Sequence, residues 1–85
     1  MGRRAETHPV SIVVKAVQRS GLIEDIINLL RGEQVNVPKT KMITKDTVTT
    51  LYMIAEVKDL TQLSYLLTRL KNLPNVFEAS RQHWN

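Results

Sequence analysis

Apolar residues recur in this 85-residue chain with two different spacings, one typical of strands and one typical of helices. The order in which the two spacings follow one another constrains the fold more than any other feature. Residues 10–16 alternate apolar and polar side chains, which is typical of a strand with one buried face. Residues 22–30 instead follow the spacing of an amphipathic helix. The remaining predicted elements are a strand at 35–44, a strand at 47–57, a helix that starts at Asp59 and a short strand at 76–81.

The predicted elements carry local signals at their ends. Ser20 is the predicted N-cap of the first helix, and Gly32 is its predicted C-terminal glycine. Asp59, with Gln62 three residues later, predicts a capping-box-like start for the second helix. Pro38 falls within the second strand. Because proline cannot donate to a ladder, that strand is predicted to lie at an edge or to carry a bulge.

The order strand, helix, strand, strand, helix, strand predicts an α+β fold. Two right-handed crossovers place both helices on one face of a four-stranded antiparallel sheet, the ferredoxin-like βαββαβ arrangement. The second helix is predicted to bury a leucine stripe formed by Leu60, Leu63, Leu66, Leu67 and Leu70. We expect one domain over residues 9–82, with a linker at 1–8 and a short tail at 83–85.

Catalysis is not predicted. His8 and His83 have no serine or carboxylate spaced to form a triad with either, and no phosphate-binding glycine motif occurs. The chain has no cysteine, which excludes disulfides and cysteine zinc sites and fits a reducing cytoplasm. No apolar run approaches the roughly 20 residues of a membrane span. We therefore expect a cytoplasmic, non-enzymatic domain without a cofactor, a metal or a membrane partner.

The turn between the first strand and the first helix is the first candidate site. A helix that begins at Ser20 and Gly21 presents unpaired backbone N–H groups and a positive dipole end, which suit a carboxylate or phosphate. Gly21 allows a ligand close to the backbone, Gln18 and Ser20 add hydrogen-bonding groups, and Arg19 adds a cation. An ordinary capped turn explains the same residues, so both interpretations remain open here.

The sheet face without helices is the second candidate. Val13, Tyr52 and Ile54 are predicted to lie there, where a solvated face would be more polar, so we expect a partner surface. The net charge of +4 has its closest basic set on the second strand. That set is Lys39, Lys41 and Lys45. Such lysines protect a strand edge, or they contact a phosphate backbone.

These elements together resemble the ACT domain family from Val10 to Arg81. Residues 17–22 resemble the family's Asp-Arg-x-Gly-Leu signature, and residues 33–37 resemble its Gly-Ile-Asn-Ile start of the second strand. Within the family, residues 57–63 and 70–76 are most similar to the ACT domain at the C-terminus of RelA/SpoT-family GTP pyrophosphokinases, the (p)ppGpp synthetase/hydrolases. There an Asp-Leu-x-x-Leu helix start and a Leu-x-x-x-Pro-x-Val approach to the last strand recur.

The resemblance implies a non-catalytic regulatory module of a stringent-response enzyme whose catalytic region lies outside this chain. It further implies a homodimer formed through the sheets, and an amino-acid effector bound at the first loop near the interface. The implied ligand positions are Gln18, Arg19, Ser20, Gly21 and Leu22, with Asn36 and Val37 nearby. Gln18 stands where the family has Asp or Asn, so the charge pairing that Asp offers a ligand ammonium is lost.

Two other functions fit the same topology. An RNA-binding module would stack bases on aromatic residues of the central strands, but only Tyr52 is available there. Docking against ribosomal RNA through basic residues is compatible with the regulatory function. A purely structural dimerisation domain is the third hypothesis.

Overall fold

Two antiparallel strands at the centre of one sheet organise the fold. The computed structural model describes residues 6–82. In chain order the elements are β1 (His8–Val17), α1 (Leu22–Gly32), β2 (Asn36–Lys45), β3 (Val48–Val57), α2 (Leu60–Lys71) and β4 (Val76–Arg81). The strands form a 4-stranded antiparallel sheet in the order β2-β3-β1-β4. The predicted α+β, ferredoxin-like βαββαβ fold is confirmed.

The predicted terminal segments fall mostly outside the described residues. This applies to most of the 1–8 linker and to the whole 83–85 tail, including His83. His8 is the first residue of β1 and pairs with Val57, so the strand begins one residue before the predicted domain boundary. Neither α1 nor α2 is long and apolar enough to cross a membrane.

The core lies between the helices and one face of the sheet. Ile12 of β1 stands opposite Met53 of β3, and both are almost completely buried. Leu22 and Leu66 bring the two helices onto this face, with exposed fractions of 1% and 0%. Because side chains alternate along a strand, every second residue of β1 and β3 reaches this core.

The start of α2 confirms the predicted cap and corrects the leucine stripe. The Asp59 side chain accepts a hydrogen bond from the Gln62 backbone N–H at 2.8 Å, and the Gln62 side chain accepts one from the Lys58 N–H at 2.6 Å. Leu63, Leu66 and Leu70 are buried, but Leu60 is 71% exposed. Leu60 lies roughly 90° round the helix from the centre of that stripe and opens the first turn, so it misses the core.

β2 occupies an edge of the sheet, as Pro38 predicts. It pairs with β3 alone, and the register shifts between Asn36 and Lys39, around the proline. A proline is tolerated there because a bulge needs no ladder bond from it. Both the edge position and the bulge are therefore confirmed.

The ends of α1 differ from prediction. Gly21, not Ser20, is the N-cap, in a left-handed conformation with φ of 79° and no side-chain cap. At the other end Gly32 is still helical, and Gln34 takes the left-handed position with φ of 58°. The Gln34 N–H donates to the Arg31 carbonyl and the Val35 N–H to the Leu30 carbonyl, the Schellman pattern. Burial of Leu30 and Val35 in the same core extends the helix past the glycine.

The two glycines of α1 should respond to alanine with opposite signs. A Cβ at Gly21 would meet no close atom, so Gly21→Ala is strained only by its positive φ and should lower the free energy of unfolding by roughly 1–2 kcal/mol. Gly32→Ala has open space and helical geometry, and should raise it by roughly 0.5–1 kcal/mol. Urea denaturation of both variants measures this. A loss in Gly32→Ala as large as in Gly21→Ala would contradict the assignment of the two ends.

Candidate functional site

The first loop, residues 18–21 between β1 and α1, lies at the end of the sheet where three connections meet. The Val17 N–H donates to the Asn75 carbonyl at 2.9 Å, in the turn between α2 and β4. The Gln18 N–H donates to the Thr47 carbonyl at 2.8 Å, in the hairpin between β2 and β3. Backbone bonds therefore hold the loop on both sides, and its residues are positioned before any ligand arrives.

Gln18 is bound to the sheet through its side chain. Its Oε1 accepts a hydrogen bond from the Thr49 hydroxyl at 2.6 Å, and Thr49 is only 2% exposed. The Thr44 and Thr49 hydroxyl oxygens are 3.0 Å apart. Since Thr49 has one proton and gives it to Gln18, Thr44 is the donor to Thr49. The longer side chain at this position thus satisfies a buried hydroxyl and links the loop to β2.

Arg19 is also engaged within the chain. Its Nη2 lies 2.6 Å from Asp25 Oδ2 in α1, and its Nε donates to the Pro74 carbonyl at 3.1 Å. Its Nη1 donates to the Ser20 carbonyl at 3.1 Å. The guanidinium therefore joins the first loop, α1 and the α2–β4 turn, and its charge is already paired.

The groups of the loop that face solvent are those around the α1 N-terminus. Ser20 and Gly21 are exposed, and no side chain caps the first turn. Leu22 is 1% exposed and its backbone N–H donates to the Arg19 carbonyl at 3.3 Å, so it is not available to a ligand. Glu24 Oε1 lies 3.9 Å from the place of a Cβ at Gly21 and brings a carboxylate to this end of the helix. The arrangement combines N–H donors, a hydroxyl and an anion, which suits a zwitterion.

Asn36 and Val37 lie at the other end of the sheet. Asn36 stands opposite Glu56 on β3, and its Nδ2 donates to Glu56 Oε1 at 2.9 Å. Gln18 instead follows the β1 residue paired with Val48. Glu56 and Val48 are separated by about 26 Å, at about 3.3 Å for each of eight residues. Within one chain, the predicted ligand positions therefore form two separate groups.

The open sheet face brings together the three residues predicted there. Val13 pairs with Tyr52, and Ile54 is the next residue on that face of β3. A trough of about 490 Å³ lies over this face and reaches β2. The sequence identified Lys39 and Lys41 as a basic set on the second strand but did not place them, or Ile43, on this face. The side chains that line the trough include Ser11, Lys39, Lys41, Ile43, Tyr52, Ile54 and Gln82. The described residues contain no group of three His, Cys, Asp or Glu side chains able to hold a metal.

Comparison with known protein families matches residues 4–81 to the ACT domain. The chain belongs to the ACT domain family. The GTP pyrophosphokinase of Escherichia coli K12 is 38% identical over 77 residues, which are 86% of this chain and 10% of that protein. The GTP pyrophosphokinase of Haemophilus influenzae is 34% identical over 74 residues. This ACT domain thus spans about a tenth of the length of the curated relatives it matches.

Solved structures give the same fold for this ACT domain. The ACT domain from the GTP pyrophosphokinase of Chlorobium tepidum superposes with a TM-score of 0.81 at 20% identity, covering 89% of this chain and 99% of that one. The C-terminal domain of the MgtC protein from Mycobacterium tuberculosis reaches 0.70 at 13% identity, with 96% and 92% covered. At these identities the likeness shows the fold alone. The family and its longer enzyme relatives together support a regulatory domain.

The hydrogen bonds that join Thr44, Thr49 and Gln18 should contribute to the stability of this ACT domain. Thr49→Val removes the donor to Gln18 and the acceptor of Thr44, and should lower the free energy of unfolding by about 1 kcal/mol. Thr50→Val is the matched control on the open face and should change it by less than about 0.5 kcal/mol. Chemical denaturation of the two variants gives the comparison. Equal stabilities would show that the Gln18 contact contributes nothing.

Proposed function

We propose that this chain is the regulatory ACT domain of a stringent-response GTP pyrophosphokinase of the cytoplasm. It pairs with a second copy, binds a small effector such as an amino acid, and reports to the catalytic region of the longer protein. The identities of 34–38% with GTP pyrophosphokinases support the parent enzyme. The proposal for the effector site rests on one observation: the first loop lies near one end of the exposed edge strand β2, and Asn36 lies at the other end.

The pairing surface is the β2 edge. β2 is 10 residues long and exposed over nearly all of its length. A long exposed edge is a template for another strand. Met42 is 50% exposed on the helix-facing side of this edge. An exposed apolar side chain beside an unpaired strand edge supports burial of that edge against a second copy.

The exposed flank of α1 extends the same surface. Asp25 is bound by Arg19, which also holds the α2–β4 turn, and Glu33 is 3.3 Å from Arg69 of α2. These two acidic residues therefore mark the α2 side of α1. Ile27 follows Asp25 by two positions and lies on nearly the opposite side of the helix, toward β2. Its 44% exposure adds apolar area on that side of α1.

Two-fold pairing along β2 would reunite the separated ligand positions. In an antiparallel pair of edge strands, the start of one strand lies beside the end of the other. The end of β2 leads into the hairpin that holds Gln18 through Thr47. Asn36 and Val37 of the partner subunit would thus approach the loop that its own chain keeps at a distance. The effector site is then complete only in the pair.

The chemistry of this composite site suits an amino acid. The ligand carboxylate would accept from the first-turn N–H groups of α1 beside Ser20 and Gly21. The ligand ammonium would face the Glu24 carboxylate, which supplies the charge that Gln18 lacks. Gln18 and Arg19 would act indirectly, since their polar groups already bond within the chain.

The alternative functions have less support. β1 and β3 carry one Phe, Tyr or Trp between them, Tyr52, and base stacking by an RNA-recognition module uses more. Contact with ribosomal RNA through the exposed lysines of β2 is compatible with the regulatory function. A purely structural dimerisation domain would pair but ignore effectors, which the experiments below distinguish.

Pairing through β2 should depend on Met42. Met42→Lys places a charge on the proposed interface but on solvated surface in the monomer, and should weaken self-association by about tenfold or more. Phe77→Lys is the control, since Phe77 is 55% exposed on the opposite edge strand β4. Sedimentation equilibrium over a range of concentrations measures both. Weakening by Phe77→Lys alone, or a parent chain that stays monomeric at about 1 mM, would overturn β2 pairing.

Effector binding should respond to the charge at Ser20. In a thermal-shift screen against the twenty amino acids, a few related ones should raise Tm, by roughly 10 °C at a ligand concentration of about 100 times Kd, since a ligand that binds only the folded pair stabilises it. Ser20→Asp should abolish this rise, because its carboxylate repels the ligand carboxylate while it favours the helix dipole. Ser20→Asn is its neutral control and should retain the rise.

The same screen separates sensing from pure dimerisation. Met42→Lys should reduce the amino-acid response at low protein concentration, because the site needs both subunits. A parent chain that pairs but shows no rise with any amino acid would identify a structural dimerisation domain.

A further inference from the structure

The open sheet face carries a second candidate binding surface that the effector site does not use. We call this surface the open-face trough. Its floor is formed by Ile43, Tyr52 and Ile54, its basic rim by Lys39 and Lys41, and its polar end by Gln82. At about 490 Å³ it falls within the size range of ligand and peptide sites. The first loop lies elsewhere, at the β1–α1 end of the sheet.

The floor of the trough is apolar, and no helix or strand among residues 6–82 packs over it. Tyr52 and Ile54 are half-buried by their neighbours within the sheet, and Ile43 is 46% exposed. The Tyr52 hydroxyl has no hydrogen-bond partner among residues 6–82. A face open to water normally carries polar residues along such strands. The floor therefore offers apolar contact and one unused hydroxyl to an occupant.

The rim of the trough carries charge that the described residues do not neutralise. Lys39 stands opposite Ile54 and Lys41 opposite Tyr52, so both lysines lie on the open face. Neither side chain forms an ion pair or hydrogen bond with any residue between 6 and 82. Glu56 on this face accepts a hydrogen bond from Asn36 and forms no ion pair with either lysine. An occupant with negative charge would complement the rim.

The spacing of the lysines indicates the form of the occupant. Lys39 and Lys41 are two residues apart on one strand, which separates them by about 7 Å. An extended peptide repeats its own side chains at the same interval. Carboxylates at alternate positions would then meet both lysines, while a neighbouring aliphatic side chain would enter the floor over Ile54. A nucleic acid would find one aromatic ring, Tyr52, on this face of β1 and β3 for base stacking.

We infer that the open-face trough binds an extended acidic peptide segment in which carboxylates alternate with aliphatic side chains. The peptide lies along β2 on the open face, with its carboxylates at Lys39 and Lys41 and its aliphatic side chains over Ile54 and Tyr52. Pairing through the β2 edge leaves this face uncovered, so the interaction does not depend on the proposed dimer or on the effector.

The test is fluorescence anisotropy with a short labelled peptide of alternating glutamate and leucine, at physiological salt. The parent chain should bind it, and a matched peptide with glutamine for glutamate should bind about tenfold more weakly or worse. This pair of probes needs no protein variant, so folding defects cannot affect it. No binding of the glutamate peptide at about 1 mM protein, or equal binding of both peptides, would overturn the inference.

Protein variants then locate the site. Lys39→Glu combined with Lys41→Glu should weaken binding by about tenfold or more, and Tyr52→Ala by about fivefold. Lys58→Glu combined with Lys71→Glu makes the same change in net charge away from the trough, and should leave the affinity within about twofold. Equal weakening by both double variants would show only a response to net charge and overturn the site.

Two controls separate this inference from its competitors. Labelled oligouridine that binds as tightly as the glutamate peptide, with no loss in Tyr52→Ala, would identify a polyanion surface and overturn the peptide site. Ser20→Asp should bind the peptide like the parent chain, although it loses the amino-acid response. Loss of peptide binding at the trough and loss of amino-acid binding at the effector site are thus tested by different variants.

Discussion

The antiparallel pairing of β1 with β3 is the interaction on which the rest of the structure depends. It runs from His8 opposite Val57 to Val17 opposite Val48, and it places these two strands at the centre of the sheet. Because side chains alternate, one register sends Ile12 toward the helices and its neighbours to the open face. A slip of one residue would exchange the two faces and expose the core. The core and the open-face trough are therefore two consequences of one ladder.

At one end of that ladder, the first loop, the β2–β3 hairpin and the α2–β4 turn form one hydrogen-bonded unit. Gln18 connects to the hairpin through Thr49, and Arg19 connects to the turn through Pro74. Residues that resemble a ligand-binding signature thus also support the fold, and their polar groups are largely satisfied. Within the first loop, the groups that face solvent are those at the α1 N-terminus. The β2 edge and the open-face trough are separate exposed surfaces. Pairing, effector binding and peptide docking need not compete for the same area.

Sequence reasoning succeeded where the signal is local or periodic. Apolar spacing predicted the element order, since burial on one face imposes a period of two on strands and 3.6 on helices. Pro38 predicted an edge strand because a missing N–H is a property of the residue itself. Asp59 predicted a helix cap for the same kind of reason, because its side chain reaches the N–H of Gln62 within one turn.

The sequence by itself therefore determined the order of the elements, the fold class, the edge position of β2 and the cap of α2. Tertiary structure alone decided which distant residues meet. It assigned the α1 cap to Gly21, separated Asn36 from the first loop, and turned Lys39 and Lys41 toward Tyr52. The bulge at Pro38 changes the strand parity, so no count along β2 gives the face of those lysines. Pairing partners far apart in the chain determine such contacts, and local propensity does not contain that information.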